Sequence, residues 1–564
     1  MLGASSEEVA VELERVSGWV ARQARAPFAA TSGAVVLFCL SLTPSLLPRL
    51  ALSQALLSAL CLLLGYGAGA LLGWLVRSCG GHLSGQARSR AWRVLAALGG
   101  AACLVFLLLG LRWENEVRVL VGMDRVGIGH AVVGAAVAVV LFALLLLVAR
   151  GVKALGRLAG RQVGRVLPAG PATVIGGLLV AVVAYEVVVG IGGARLLGAL
   201  DSTFRTINDE FRTDLPAPTV AGVSAGPGST QTWDDLGRQG RLFVSNAPTL
   251  EAIEAFSDGP ALAPVRAYVG AGQAGVDVRR EADQAVAEME ALGGFDRAVV
   301  NVVTGTGRGW VNENQAQALE YMWGGDTATV SLQYSYLPSW MSFLLDRQRS
   351  QDAGRALFDA IYARWLDIPE DDRPLLVVSG ESLGSFGGEA AFSGPQDMAT
   401  RTSGALFVGP TANNVLWGRL TEERDPGSPE VLPVADGGEI VRFAERPADW
   451  VAPGEWTGTR VGYLQHANDP ITWWSLDLAV ERPDWLEEDR GRSVSPHVRW
   501  VPVVTMLQLG IDQAMANSVP AGQGHQFGQL PVYAWAEILP PPGWTDADSE
   551  RLAETVRRRP PAGS

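Results

Sequence analysis

Five apolar stretches dominate the first third of the chain, at about 28–47, 52–76, 92–112, 128–149 and 172–193. Each approaches or exceeds the roughly 20 residues that a helix needs to cross a bilayer. The first is interrupted by Thr31, Ser32, Thr43 and Pro44. A long charged segment precedes it and a second apolar stretch follows almost at once, which marks it as a retained helix rather than a cleaved signal. From 196 to 230 the chain turns to Pro, Gly and Ser and reads as a linker. Beyond it the period changes. Short apolar runs at 265–270, 297–303, 327–334, 375–379, 405–408 and 460–464 alternate with helical patterns at 312–323 and about 338–366, the latter broken. Strands alternating with helices predict a mostly parallel sheet with helices on both faces. The expected organisation is an α-helical transmembrane domain over 1–195, a linker over 196–230, an α/β domain over 231–545 and a polar, disordered tail over 546–564.

Charge adds an orientation. Arg15, Arg22 and Arg25 precede the first stretch, and Arg77, Arg88, Arg90 and Arg93 lie between the second and third. Arg150, Lys153, Arg157, Arg161 and Arg165 lie between the fourth and fifth, with no acid among them. The alternate loops carry Arg49 in one case, and Arg112, Arg118 and Arg125 diluted by Glu114, Glu116 and Asp124 in the other. Positive loops stay in the cytoplasm. A cytoplasmic N-terminus and five spans put everything after residue 195 outside. The expectation is a multi-pass protein of the cell membrane with an extracytoplasmic α/β domain. Gly65, Gly69 and Gly73 repeat every four residues, a spacing that lets two helix backbones approach closely, within the chain or in a homo-oligomer. Glu186 lies inside the fifth stretch, where a carboxyl is costly and either functional or reaching for the interface.

Composition excludes several classes of function. The net charge of −13, with Lys153 the lone lysine, gives no basic footprint for nucleic acid. Cys39, Cys61, Cys79 and Cys103 all fall in the apolar part and form no CxxC pair. His82, His130, His466, His497 and His525 are scattered, so no metal-ligand spacing arises and no cofactor is expected.

The segment that carries chemistry is 374–385, in which an apolar strand runs into Gly380-Glu381-Ser382-Leu383-Gly384. This is a GxSxG elbow in strand-to-helix context, with Ser382 as nucleophile. A serine hydroxyl needs a base, and in this order of elements an acid and then a histidine follow. His525, in the glycine-rich loop 521–528, fits the base. His497 lies in a polar stretch and reads as a surface residue. His466 reads as structural. For the acid, Asp469 follows a strand at 461–464, with Asp425 and Asp436 as rivals; without a catalytic role it is an Asx turn before Pro470. The oxyanion needs donors. Leu383 N–H follows the nucleophile, and the glycine loop 304–310 offers Thr306 or a neighbour. That loop lacks the lysine of a phosphate-binding P-loop. Trp473 and Trp474 beside the acid either line an apolar pocket or fill the core.

Longer segments carry a family resemblance: TGTGRGWV (304–311), GGDTATVSLQYSYLPSWMSFL (324–344), GESLGSFGG (380–388), RDPGSPE (424–430), YLQHANDPITWW (463–474) and GHQF (524–527). Across most of residues 20–545 the chain resembles bacterial α/β-hydrolase-family membrane proteins, which join a multi-span N-terminal domain to a catalytic domain. The resemblance implies an α/β-hydrolase fold and a Ser-Asp-His enzyme; it says little about substrate.

Three functions compete on these grounds. One is a membrane-anchored esterase acting on a lipid or envelope acyl ester. Another is an acyltransferase using the same residues to pass the acyl group to a lipid, glycan or protein hydroxyl. The last is a non-catalytic assembly or transport factor, against which the intact order Ser382, Asp469, His525 argues.

Overall fold

A computed structural model describes residues 27–81, 85–163, 208, 215–257, 259–271, 276–456 and 458–558. The stretch at 172–193, with Glu186, and the basic residues Arg15, Arg22, Arg25 and Arg165 lie outside the described residues. The described residues fall into two compact units.

The first unit is helical. α1 (Phe28–Ser41), α2 (Ala51–Ser78), α3 (Gly85–Leu120, with a π turn at Leu95–Gly99) and α4 (Ile128–Val163) run back and forth. Three of them, Ala51–Ser78, Gly85–Leu120 and Ile128–Leu155, are long and apolar enough to cross a bilayer. They fit a membrane protein. The first stretch is a correction. Its helix stops at Ser41 after 14 residues, because Thr43, Pro44 and Pro48 follow. At 1.5 Å per residue that is about 21 Å, short of a core of about 30 Å. α1 lies against the glycine face of α2. A Cβ on Gly65 would sit 2.2 Å from Gly33 O, and one on Gly69 would sit 2.1 Å from Ala29 O. The glycine repeat therefore serves a helix crossing inside the chain. The four cysteines are free.

Residues Ser495–Asp512 also belong to this first unit, although the sequence reading put them in the α/β domain. Val504, at the start of the helix Val504–Asp512, packs with Leu57 and Cys61 of α2. Asp512 accepts from Arg49 Nε at 2.7 Å and from Leu47 N at 3.3 Å, both groups being buried. Gln508 Nε2 donates to Thr43 O at 2.9 Å, and Ser495 Oγ donates to Glu116 at 2.9 Å. Glu114 accepts from Arg49 N and from Arg118 Nε. The periodicity of 495–512 looks like any domain helix; which partner it chooses depends on polar groups far away in sequence.

The second unit is an α/β domain around a seven-stranded, all-parallel sheet in the order β1-β3-β2-β4-β5-β7-β6. The strands are β1 Val265–Val269, β2 Val299–Thr304, β3 Thr327–Leu332, β4 Leu375–Glu381, β5 Gly404–Val408, β6 Val441–Ala444 and β7 Arg460–Leu464. Six match predicted runs. β6 was not predicted; it has four residues and pairs only with β7, so its apolar signal is too short to stand out. Helices cover both faces of the sheet, as an α/β-hydrolase fold requires. The predicted break in 338–366 falls at Asp346, whose backbone is non-helical (φ −155°, ψ 48°) between Ser339–Leu345 and Arg347–Leu366.

Two boundaries move. Ordered structure starts before residue 231: Val223 bridges to Arg266 and is buried beside Tyr268 and Phe243. The tail is helical over Asp546–Arg558 rather than disordered. Leu552, Ala553 and Val556, at helical spacing, bury against a core that includes Trp535 and Ile538. The surrounding charges of that segment mask the short apolar stripe in the sequence.

Candidate active site

In a parallel sheet all strands end on one edge, so the loops after β2, β4, β5 and β7 collect at one place. β4 is fully buried beyond Leu375. It feeds directly into the helix Leu383–Glu389, and the residue between them is Ser382, at φ 56° and ψ −121°. A serine in this region is strained and held by its surroundings. Ser382 N donates to Val408 O at 2.8 Å. Its carbonyl accepts from Ser385 Oγ at 2.7 Å, and Asn414 Nδ2 donates to that hydroxyl at 3.2 Å. Ser350 Oγ donates to Leu383 O at 2.8 Å. The flanking glycines are sterically required. A Cβ on Gly380 would lie 2.4 Å from Gly384 O, and one on Gly384 would lie 2.2 Å from Thr304 O.

Asp469 ends the loop after β7 and is fully buried. Its Oδ1 accepts from Ile471 N at 2.9 Å, so the Asx turn before Pro470 is present too. Its Oδ2 accepts from His525 Nδ1 at 2.5 Å. The two loops are stitched together. Gly524 N donates to Asn468 Oδ1 at 2.9 Å, Asn468 Nδ2 donates to Gln523 Oε1 at 2.7 Å, and His466 Nδ1 donates to Gly524 O at 2.7 Å. With Nδ1–H given to Asp469, His525 keeps Nε2 as the acceptor nitrogen, and Nε2 makes no hydrogen bond with a described residue. Burial opposes a charge on His525. The Asp469 carboxylate and its hydrogen bond, helped by Glu381, outweigh that and raise its pKa above the usual histidine value.

Ser382, Leu383 and His525 line one cavity of about 740 Å³, together with Glu381, Thr306 and Trp474. That is a size suited to a small organic ligand. Leu383 opens its helix, so its N–H has no intrahelical acceptor. Thr306 differs from the expectation. Its N–H donates to Trp310 O at 2.9 Å inside the glycine loop, so only its side chain remains for the cavity. The tryptophans divide: Trp474 lines the cavity, whereas Trp473 is buried between Trp417 and Trp485 with Nε1 donating to His466 O.

The rivals lie elsewhere. Asp425 accepts from Gly437 N at 2.8 Å, and Asp436 is exposed. His497 is half-exposed in the first unit, 3.6 Å from Glu116. His466 is buried, stacked on Phe527 at 4.4 Å, and burial pushes its pKa down to about 4. Among the described residues no cluster could hold a metal.

Glu381, inside the motif, is a further ionisable group at the site. Its carboxylate is buried, accepts from Asn312 Nδ2 and lines the cavity. Burial raises its pKa, while His525 and Asn312 oppose the rise. An acid at the variable position of the elbow, next to Ser382, was the available signal.

A family model described as Alpha/beta-hydrolase family matches residues 265–552, and one described as Alpha/beta-hydrolase family N-terminus matches residues 42–248. Comparisons with curated proteins and with solved structures gave no match. With the first model covering half of its length, over the sheet and the loops that hold Ser382, Asp469 and His525, the chain belongs to the alpha/beta-hydrolase family.

Proposed function

We propose that this protein is a membrane-anchored serine hydrolase that cleaves a lipid or envelope acyl ester through an acyl-enzyme on Ser382. The observation that carries this reading is the 2.5 Å contact of His525 Nδ1 with buried Asp469, in the cavity that the strained Ser382 also lines. His525 Nε2 takes the Ser382 proton as Oγ attacks the ester carbonyl. Asp469 holds the tautomer and stabilises the imidazolium. Leu383 N–H stabilises the oxyanion. The imidazolium then protonates the leaving alcohol, and water, activated by the same nitrogen, releases the acid. Apolar cavity walls at Trp474 and Ile471 suit an acyl chain.

The reading includes sidedness. Positive loops mark the Arg77 end of α2 and the Arg150 end of α4 as cytoplasmic. Segment 495–512 is bonded at the opposite end, to Thr43, Leu47 and Arg49. That supports an extracytoplasmic origin for the chain around it.

Labelling of the detergent-solubilised protein with a fluorophosphonate probe tests the chemistry. The expected adduct is on Ser382, lost in Ser382→Ala. An adduct on Ser379 or Ser385, or undiminished labelling of folded Ser382→Ala, would overturn the assignment.

A further inference from the structure

Arg308 is the cation of the cavity lining, and its side chain has no charged partner among the described residues. Its backbone is anchored: its carbonyl accepts from Gln333 Nε2 at 3.4 Å, and the next carbonyl, Gly309 O, accepts from Tyr268 Oη at 2.9 Å. Its side chain is half-buried at the cavity, and its guanidinium makes no hydrogen bond or ion pair with any described residue. The charge that acts on it belongs to Arg238, another arginine. Arg238 lies on the helix Gly237–Ser245, next to Gln239 of the cavity wall, and it too has no ion pair among the described residues. Burial and Arg238 both push the pKa of Arg308 down, the direction expected of a cation lacking a counter-charge.

Two acids share the cavity, and each is already engaged. Glu313 is ion-paired to buried Arg266 at 2.9 Å, and Glu381 is bonded to Asn312. A partly desolvated guanidinium without a counter-ion is costly to keep. Its planar fork matches a carboxylate or phosphate. On the other walls Phe343, Ile471 and Trp474 are apolar. One cavity thus combines apolar walls, the proposed nucleophile Ser382 and a cation that no described acid compensates.

Resting on the serine-hydrolase reading above, we propose that Arg308, backed by Arg238, is an anion subsite, and that the substrate is an amphiphilic ester bearing a phosphate or carboxylate. Bound there, the anion supplies the missing counter-charge and orients the ester carbonyl towards Ser382.

Two measurements on the full-length protein in neutral detergent test this. In the first, p-nitrophenyl hydrogen glutarate is compared with its neutral methyl ester. The ratio of their kcat/KM values should favour the anion in the wild type. It should fall about 10- to 100-fold in Arg308→Gln, the usual loss for a charge-assisted contact. Arg308→Lys should recover part of it, and Arg238→Gln should lower it less. In the second, calorimetry on Ser382→Ala should show octyl phosphate binding more tightly than inorganic phosphate, and weakening in the Ser382→Ala, Arg308→Gln double variant. Equal binding of the two phosphates would overturn the amphiphilic assignment. An unchanged ratio with unchanged octyl phosphate binding would overturn the subsite while labelling at Ser382 keeps the hydrolase reading. Arg308-dependent binding without labelling would do the reverse.

Discussion

His525 and His466 sit on neighbouring turns with opposite electrostatic settings, and each makes a prediction. His525 has a raised pKa, because Asp469 outweighs burial. Its ion-paired form stabilises the fold below the unfolded-state pKa, and that contribution is lost as pH rises through the folded value. The proposed catalysis needs the neutral form. The acid limb of kcat/KM for an ester is therefore expected at a pH above the ordinary histidine value of about 6.5. Asp469→Asn should lower that limb and cut turnover on the order of ten-thousand-fold. A limb that does not move in this variant would contradict the pairing. His466 is set the other way, at about 4 against an ordinary 6.5. Its contribution to stability is complete above the unfolded value and is lost as pH falls from about 6.5 to about 4. The full amount is on the order of 3 kcal/mol. Urea midpoints of the α/β domain, followed by tryptophan fluorescence, should drop across that window, and His466→Asn should flatten the drop.

In the proposed mechanism serine and histidine act as a unit, so single and double variants of Ser382 and His525 should lose about the same activity, roughly a million-fold. A double variant much worse than either single would mean the two residues act separately. His497→Ala is the control, since that side chain is half-exposed against Glu116.

At the scale of elements, the strand–elbow–helix unit is held by contacts with little slack. Gly384 lies so close to β2 that a methyl group would meet Thr304 O at 2.2 Å. Gly384→Ala should therefore displace the helix Leu383–Glu389, abolish fluorophosphonate labelling and lower the melting temperature. Normal labelling would show that the crossing tolerates a shift. The helix Asp546–Arg558 offers the complementary case. Leu552 is fully buried in the core beside Trp535. Leu552→Ala should cost about 3 kcal/mol, read as a lower urea midpoint with Ser382 still labelled. A cost near zero would mean the helix contributes nothing to the domain.

For the molecule as a whole, the buried Arg49–Asp512 pair holds a late segment of the chain in the helical unit. Its side chains are 4% and 0% exposed. Breaking a buried pair by removing one charge typically costs about 3–5 kcal/mol. Asp512→Asn should thus raise hydrogen exchange over 495–512 before the rest of the chain responds. Uniform exchange across the chain would refute a local role. The proposed sidedness has its own test. Alkaline phosphatase fused after residue 564 should be active and a fluorescent protein there dark; the opposite pattern would invert the topology.

Period and local chemistry made much of this protein legible in its sequence. Long apolar runs at 52–76, 92–112 and 128–149 fall within the helices Ala51–Ser78, Gly85–Leu120 and Ile128–Leu155, and alternation with helical segments marked six of the seven strands. Small residues fitted around one serine marked the elbow at Ser382, because steric crowding leaves a local trace. The chain order of the elbow, an acid loop and a late histidine loop is itself a pattern that singles out Asp469 and His525, and the fold bonds these two side chains to each other. What remained hidden depends on neighbours distant in sequence. α1 reads as a span until its helix ends at Ser41. The sequence did not reveal that Thr306 spends its N–H on Trp310, that Trp473 is core while Trp474 lines the cavity, or that 495–512 bonds to Arg49 and Thr43. Nor did it reveal that Arg308 lines the cavity with no ion pair to a described residue. Hydrogen-bond partners, burial and compensation of charge are properties of the packed chain, and only the tertiary structure decides them.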